Sequence, residues 1–219
     1  MTRERTAFTV SRYWPLVSAL VAIFAVLGLG AVIAFRRSPL EADTEWMDEI
    51  LKIRNPVGES LAQVFNFLGG GWFAVAVVPL LTLGLFCLAR RYWAAVFAAI
   101  AVIASAGAVR VLKNLFGRAR PQEMLVTSDF GSFPSGHVAN AVTISVVLGL
   151  ALRLGWVWVA GAVYTVLMML SRTYLGAHWL SDTFGGLLLG AAVAVIVWTP
   201  LATKLAGELQ APSGKKRSP

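Results

Sequence analysis

Apolar runs of membrane-spanning length, separated by short polar breaks, occupy nearly the whole chain. Residues 15–35 form the first, and its 21 residues match the roughly 20 that a helix needs to cross a hydrocarbon core. Arg3, Arg5 and Arg12 precede it in the manner of a signal peptide, but the run exceeds the roughly 7–15 apolar residues of a signal h-region and reads as a retained span. Residues 36–59 break the pattern with Glu41, Asp43, Glu45, Asp48, Glu49 and Glu59 against Arg36, Arg37, Lys52 and Arg54. Within that segment Trp46, Met47, Ile50 and Leu51 recur at helical spacing with the acids on the other side. This predicts a short interfacial helix between spans one and two. Residues 57–68 continue amphipathically, Gly69-Gly70-Gly71 loosens the backbone, and 72–88 completes a second span that ends at Arg90-Arg91. A third covers 92–112 and runs into Arg110, Lys113, Arg118 and Arg120, after which the polar, Gly- and Pro-containing residues 117–136 form a loop. Residues 138–170 are too long for one span, and Arg153-Leu154-Gly155 offers a tight hairpin that divides them into spans four and five. A polar interruption at 171–182 precedes a sixth span over 184–201.

The expected fold is therefore all-α, a polytopic membrane protein of six transmembrane helices. It is one domain over 1–219, with 1–12 as a cytoplasmic N-terminus and 203–219 as a flexible cytoplasmic tail. No internal repeat is evident.

Composition agrees. With 58% hydrophobic and 14% charged residues and a mean hydropathy of +0.72, a soluble domain of 219 residues would expose far more apolar surface than one core can hide. The net charge of +8 does not indicate nucleic acid, because the basic residues punctuate apolar segments instead of forming a patch interleaved with aromatics. They fit cytoplasmic anchoring beside anionic headgroups. Six spans put both termini on one side, together with Arg90-Arg91, Arg153 and the tail lysines, and the positive-inside rule makes that side cytoplasmic. The acid-rich 36–59 segment and the 117–136 and 171–182 loops then meet on the opposite, extracytoplasmic side of the plasma or inner membrane. The single Cys87 excludes an intrachain disulfide or a cysteine metal site and reads as a small core residue.

Three clusters on that outer side carry chemistry: Lys113 to Arg120-Pro121, Pro134-Ser135-Gly136-His137, and Ser171-Arg172 through His178 to Asp182. Ionisable groups at span ends are costly unless paired or functional. Lys113 and Arg120 lie seven residues apart, two helical turns, and point the same way if the third span extends that far. With Arg172 they give three positive charges and almost no carboxylate nearby, a pocket suited to a multiply charged anion. Ser135 and Gly136, at the start of the fourth span, offer backbone N–H groups and a helix dipole to the same anion. His178 and Asp182 share one face if the sixth helix starts there, so the carboxylate holds one ring nitrogen and leaves the other free to attack. His137 is then placed as the general acid. With no cysteine pair, no carboxylate cluster and two histidines, no metal ligand set exists, and the chemistry is that of a metal-free phosphohistidine.

The order and spacing of these clusters resemble the signature of the type-2 phosphatidic acid phosphatase superfamily, which reads K-x6-R-P, P-S-G-H and S-R-x5-H-x3-D. Every fixed position is matched between Lys113 and Asp182. The resemblance implies phosphate binding by Lys113, Arg120, Ser135, Gly136 and Arg172, acid catalysis by His137, and attack by His178 oriented by Asp182. It also implies a helical fold with its site at the extracytoplasmic surface and a likeness to small bacterial phosphatidylglycerophosphate and undecaprenyl diphosphate phosphatases. The soluble vanadium haloperoxidases of the same superfamily are excluded by composition.

The expected activity is hydrolysis of a phosphate or diphosphate monoester of a lipid in the bilayer, without cofactor or metal and with no feature that calls for an obligate protein partner. A lipid phosphotransferase with the same intermediate and a non-catalytic lipid-phosphate transporter are the alternatives. Transport gives no reason for a His178–Asp182 pair and a second histidine. Arg36, Arg37, Arg90, Arg91 and Arg153 read as snorkelling anchors. Arg110 and Arg118 are open between headgroup and substrate contacts. Trp46, Tyr174 and Trp179 read as interfacial aromatics, and Asn140 and Thr143 as helix-packing polar groups.

Overall fold

The computed structural model describes residues 2–210, and among these the chain is helical with no strand. The elements are α1 (Thr2–Arg36), α2 (Glu41–Ile53), α3 (Pro56–Gly69), a π-helical turn (Phe73–Val77) running into α4 (Val78–Leu88), α5 (Tyr92–Phe116), α6 (Gly136–Leu152), α7 (Gly155–Tyr174) and α8 (Leu180–Gln210). Tyr13–Arg36, α5, α7 and α8 are each long and apolar enough to cross a membrane. Pro56–Gly69 and Phe73–Leu88 qualify only together, as a pair bent by 41° at the glycine run, and α6 is a shorter apolar helix of 17 residues.

Local chemistry sets the boundaries. Asn55 caps α3 by accepting the Gly58 N–H at 2.9 Å, with Pro56 at the first helical position. Gly117, at φ 52°, closes α5 in the left-handed conformation that glycine adopts without steric cost. Arg153, at φ 55°, ends α6 and makes the expected hairpin into α7.

The core is built around α8, which packs against α6, α1 and α5. Small residues allow this: a Cβ on Gly186 would collide with the Ser135 carbonyl, and one on Gly190 with the Ala139 carbonyl, so the α6 and α8 backbones touch. Thr143 bridges helices as expected, donating to the Ala139 carbonyl at 2.7 Å and meeting Ser105 Oγ at 2.9 Å. Cys87 departs from expectation, being exposed near the end of α4, where the neighbouring Phe86 takes the buried position.

Residues 203–210, expected within a flexible tail, instead continue α8. Leu205 is buried in the cluster around Phe86 and Phe97, and the Glu208 carboxylate accepts the N–H groups of Trp93 at 2.6 Å and Ala94 at 3.1 Å, capping α5 from the far end of the chain. The remaining tail and Met1 lie outside the described residues.

The three polar segments meet at one end of the bundle. Arg54 donates to the carbonyls of Tyr174 and Glu123, each at 3.0 Å, and the Leu125 N–H donates to the Leu175 carbonyl at 2.9 Å. Arg91 donates to the Ala151 carbonyl at 2.6 Å, tying the α4–α5 turn to the last turn of α6.

Candidate active site

At the polar end a cavity of about 480 Å³ opens between α3, α5, α6 and the loop after α5. Lys113, Arg120, Gly136, His137 and His178 line it; Ser135, Arg172 and Asp182 sit directly behind that lining, all buried. The eight residues singled out in the sequence thus form one constellation, though not always for the expected reason.

Lys113 and Arg120 do not share a helix face, because α5 stops at Phe116 and Gly117 turns the chain. They converge through the loop: Lys113 Nζ donates to the Gly131 carbonyl at 2.6 Å and Arg120 Nη2 to the same oxygen at 2.9 Å. Nor is the cluster without a carboxylate. Asp129 Oδ1 lies 3.2 Å from Lys113 Nζ and 2.9 Å from Arg120 Nη2, with its side chain two-thirds exposed. Nothing in the spacing of Asp129 distinguishes it from an ordinary loop acid. Arg172 projects from the last turn of α7, where Nη1 donates to Asn66 Oδ1 at 2.6 Å while Nε has no partner among the described residues. Ser135 is the N-cap of α6, but its buried Oγ caps nothing and has no partner either. Two buried polar atoms left open, beside a helix start, fit an anion that would complete them.

His178 lies outside α8, in the turn that precedes it, so helical spacing does not align it with Asp182. The N-terminal turn of α8 does so instead. Asp182 reaches back to accept the Trp179 N–H at 2.9 Å, half of a capping box, and this holds its Oδ2 3.5 Å from His178 Nδ1. The contact is long and Nδ1 has no well-aligned hydrogen bond among the described residues; such bonds commonly tighten when substrate binds. The ring's other edge faces the cavity, with Nε2 3.4 Å from Arg120 Nη1. Backbone bonds from the Ala177 and His178 N–H groups to the Arg172 carbonyl, at 3.1 and 3.3 Å, fix the turn. Burial pushes the imidazole down to about 4; Asp182 opposes that shift, and Arg120 and Arg172 add to it. The ring is therefore neutral at physiological pH, with a lone pair available at one nitrogen.

His137, in the first turn of α6, closes the cavity on the other side. It packs on the glycine run, where a Cβ on Gly70 would overlap Nε2.

Arg118, open in the sequence between headgroup and substrate contacts, is instead buried and paired with carboxylates of the protein. It is buried behind His178, where it bridges Asp182 Oδ1 at 2.5 Å and Asp43 Oδ2 at 2.6 Å. Trp179, expected as an interfacial aromatic, lies against this guanidinium and donates Nε1–H to the Ala119 carbonyl at 2.9 Å. Tyr174 accepts the Asn55 N–H at 2.8 Å, and Asn140 reaches the Ala74 carbonyl at 3.4 Å.

A multi-pass helical membrane protein that holds a neutral histidine against a carboxylate, in a cationic cavity at one end of its bundle, has the build of a membrane phosphatase. Residues 91–205, more than half of the chain, match the family model described as the PAP2 superfamily, and the chain belongs to that superfamily. It is 28% identical over 155 residues to phosphatidylglycerophosphatase B of Bacillus subtilis, covering 66% of this chain and 76% of that one. It is 33% identical over 147 residues to the putative undecaprenyl-diphosphatase YbjG of Escherichia coli, covering 62% and 74%. The crystal structure of the PAP2-type phosphatidylglycerolphosphate phosphatase of Bacillus subtilis superposes with a TM-score of 0.72 at 26% identity, over 90% of this chain and 99% of that one.

Proposed function

We propose that the protein hydrolyses a phosphate or diphosphate monoester of a membrane lipid through a phosphohistidine intermediate. The observation that carries this reading is the setting of His178, whose Nε2 faces the cationic cavity beside Arg120 while Nδ1 is turned to Asp182. The lone pair on Nε2 attacks phosphorus as the ester P–O bond breaks, and the departing oxygen takes its proton from His137. Water, activated by His137 acting now as base, then cleaves the N–P bond and regenerates the imidazole. Lys113, Arg120, Arg172, Ser135 Oγ and the N–H groups at Ser135-Gly136 hold the phosphoryl oxygens and the charge that spreads over them in the transition state. Those cations take the place that a divalent metal fills in other phosphoryl-transfer sites, so no metal is required.

In the bilayer, α1, the bent α3–α4 pair, α5, α6, α7 and α8 make six spans, with α2 on the surface. Both termini are cytoplasmic and the cavity opens at the extracytoplasmic face of the plasma membrane. The relatives named for phosphatidylglycerophosphate and undecaprenyl diphosphate support a lipid substrate of that kind. The test is release of inorganic phosphate from such lipids by the purified protein in detergent. It is expected to vanish in His178→Ala; retained turnover would overturn the reading.

A further inference from the structure

Lys113 and Arg120 face the cavity, but Arg118, between them, turns away from it and joins two carboxylates. Its side chain is 5% exposed, that of Asp43 1% and that of Asp182 fully buried. Asp43 comes from α2, 75 residues earlier, and does more than pair with Arg118. Its Oδ1 accepts the Ser181 N–H at 2.8 Å and its Oδ2 accepts Ser181 Oγ–H at 2.7 Å. With Asp182 taking the Trp179 N–H, two free donors of the α8 start are satisfied, one from within the helix and one from α2.

The charge balance is informative. A buried Arg118 paired with Asp182 alone would be neutral, and Asp182 would present little net charge to His178. Adding Asp43 leaves the cluster at net −1, a charge that Lys113 and Arg120 feel from the cavity side and that a positive charge formed on His178, 3.5 Å from Asp182, would offset further. His178 acquires such a charge: attack through Nε2 with the proton retained on Nδ1 turns the neutral ring into a cationic phosphoimidazolium. We propose that Asp43 is a positioning residue for the His178–Asp182 pair, sharing Arg118 so that Asp182 keeps its negative charge toward His178 and pinning the α8 turn from which Asp182 projects. The proposal rests on the reading of His178 as nucleophile.

His178 is faced by Asp182 from α8, Arg172 from α7, Arg120 from the loop after α5 and His137 from α6. Asp43 and Arg118 lie behind Asp182, so their removal changes the field at His178 without changing what touches substrate. The experiment uses the full-length protein in detergent with dioctanoyl phosphatidic acid and farnesyl diphosphate as probes, on whichever the wild type hydrolyses. Asp43→Asn brings the cluster to neutrality and should lower kcat about tenfold or more with KM nearly unchanged. The acid limb of its kcat/KM profile should move to lower pH by about half a unit or more, because the cationic ring loses a nearby negative charge. Arg118→Gln takes the cluster to net −2 and should move the limb the other way. Asp43→Asn/Arg118→Gln restores net −1 and should return the limb toward its wild-type position. Substrate titration is common to all variants and cancels in these differences. If one single variant does not fold, the other still decides by the direction of its shift. A lowered melting temperature with an unmoved acid limb would make Asp43 merely structural and overturn the proposal. Neither probe hydrolysed by the wild type, or activity retained in His178→Ala, would instead remove the underlying reading.

Discussion

The imidazole of His137 lies where a Cβ at Gly70 would be, so the break in the α3–α4 span and the first turn of α6 touch through this one ring. The contact explains why the loosened backbone sits at this height: a side chain at position 70 could not be accommodated without displacing the ring. Gly70→Ala is therefore expected to lower kcat/KM on a lipid substrate by about a hundredfold, the scale set by misplaced proton donors, with the melting temperature little changed. Steady-state kinetics beside a thermal melt check this. An active Gly70→Ala protein would mean that the ring position is not critical.

Much of this was legible in the sequence. The long apolar helices followed from the apolar runs, the hairpin from Arg153-Leu154-Gly155, and the grouping of the candidate site residues from polar clusters at one set of helix ends. The differences have local causes. Helical spacing alone aligns Lys113 with Arg120 and His178 with Asp182, but Gly117 ends α5 before Arg120 and α8 starts after His178. Gly117, followed by Pro121, is the helix-stop signal that announced the first of these. The run of acids places Asp43 on the polar face of α2, yet it is four residues before Met47 and seven before Ile50, all three of which are buried. An acid in register with the apolar stripe was the readable sign of a buried partner. That the partner is Arg118 depends on α2 and the loop after α5 meeting across the bundle, which periodicity along one segment does not encode.

The charge stabilisation proposed for Lys113, Arg120 and Arg172 predicts that activity survives excess EDTA. Orthovanadate, which adopts the trigonal-bipyramidal form of the transition state, should inhibit competitively with the lipid. Loss of turnover in EDTA that magnesium restores would exclude the metal-free mechanism. In Arg172→Ala, which leaves Asn66 without its cation, vanadate inhibition should weaken along with catalysis.

The depressed titration of His178 has a stability consequence with a definite sign. Burial pushes the folded ring down to about 4, whereas the unfolded chain keeps the ordinary histidine value of about 6.5. Between those values the unfolded chain binds the extra proton, so stability rises with pH through the window and is lost as pH falls from about 6.5 toward about 4. Melting temperatures in detergent at intervals from pH 7.5 to pH 4.5 should fall more steeply for the wild type than for His178→Gln. Parallel curves would mean that the ring is not held neutral by the fold.

Orientation can be read by labelling. Ser128, in the exposed loop after α5, and Leu154, in the α6–α7 hairpin, lie at opposite ends of the bundle and are both exposed. On a Cys87→Ala background, a membrane-impermeant thiol reagent applied to intact cells should label Ser128→Cys and leave Leu154→Cys unlabelled until the membrane is opened. The reverse pattern would put the cavity on the cytoplasmic side.

The two histidines face the cavity from different elements and are expected to fail in different ways. Without the His178 ring no N–P bond forms, so His178→Ala should be inactive on every substrate and should not accumulate a phosphoenzyme. Without His137 the attack still occurs but the departing oxygen leaves unprotonated. A lipid alkoxide is a poor leaving group, and His137→Ala should slow its release by the roughly 10²–10⁴ that general acid catalysis contributes. p-Nitrophenolate departs largely unaided, so the same variant should lose much less on p-nitrophenyl phosphate where the cavity admits it. Turnover on both substrates, combined with rapid-quench trapping of an acid-labile phosphoenzyme, separates the roles. Equal losses for the two variants on both substrates would show that His137 acts mainly in holding the phosphate, and that proton donation comes from elsewhere.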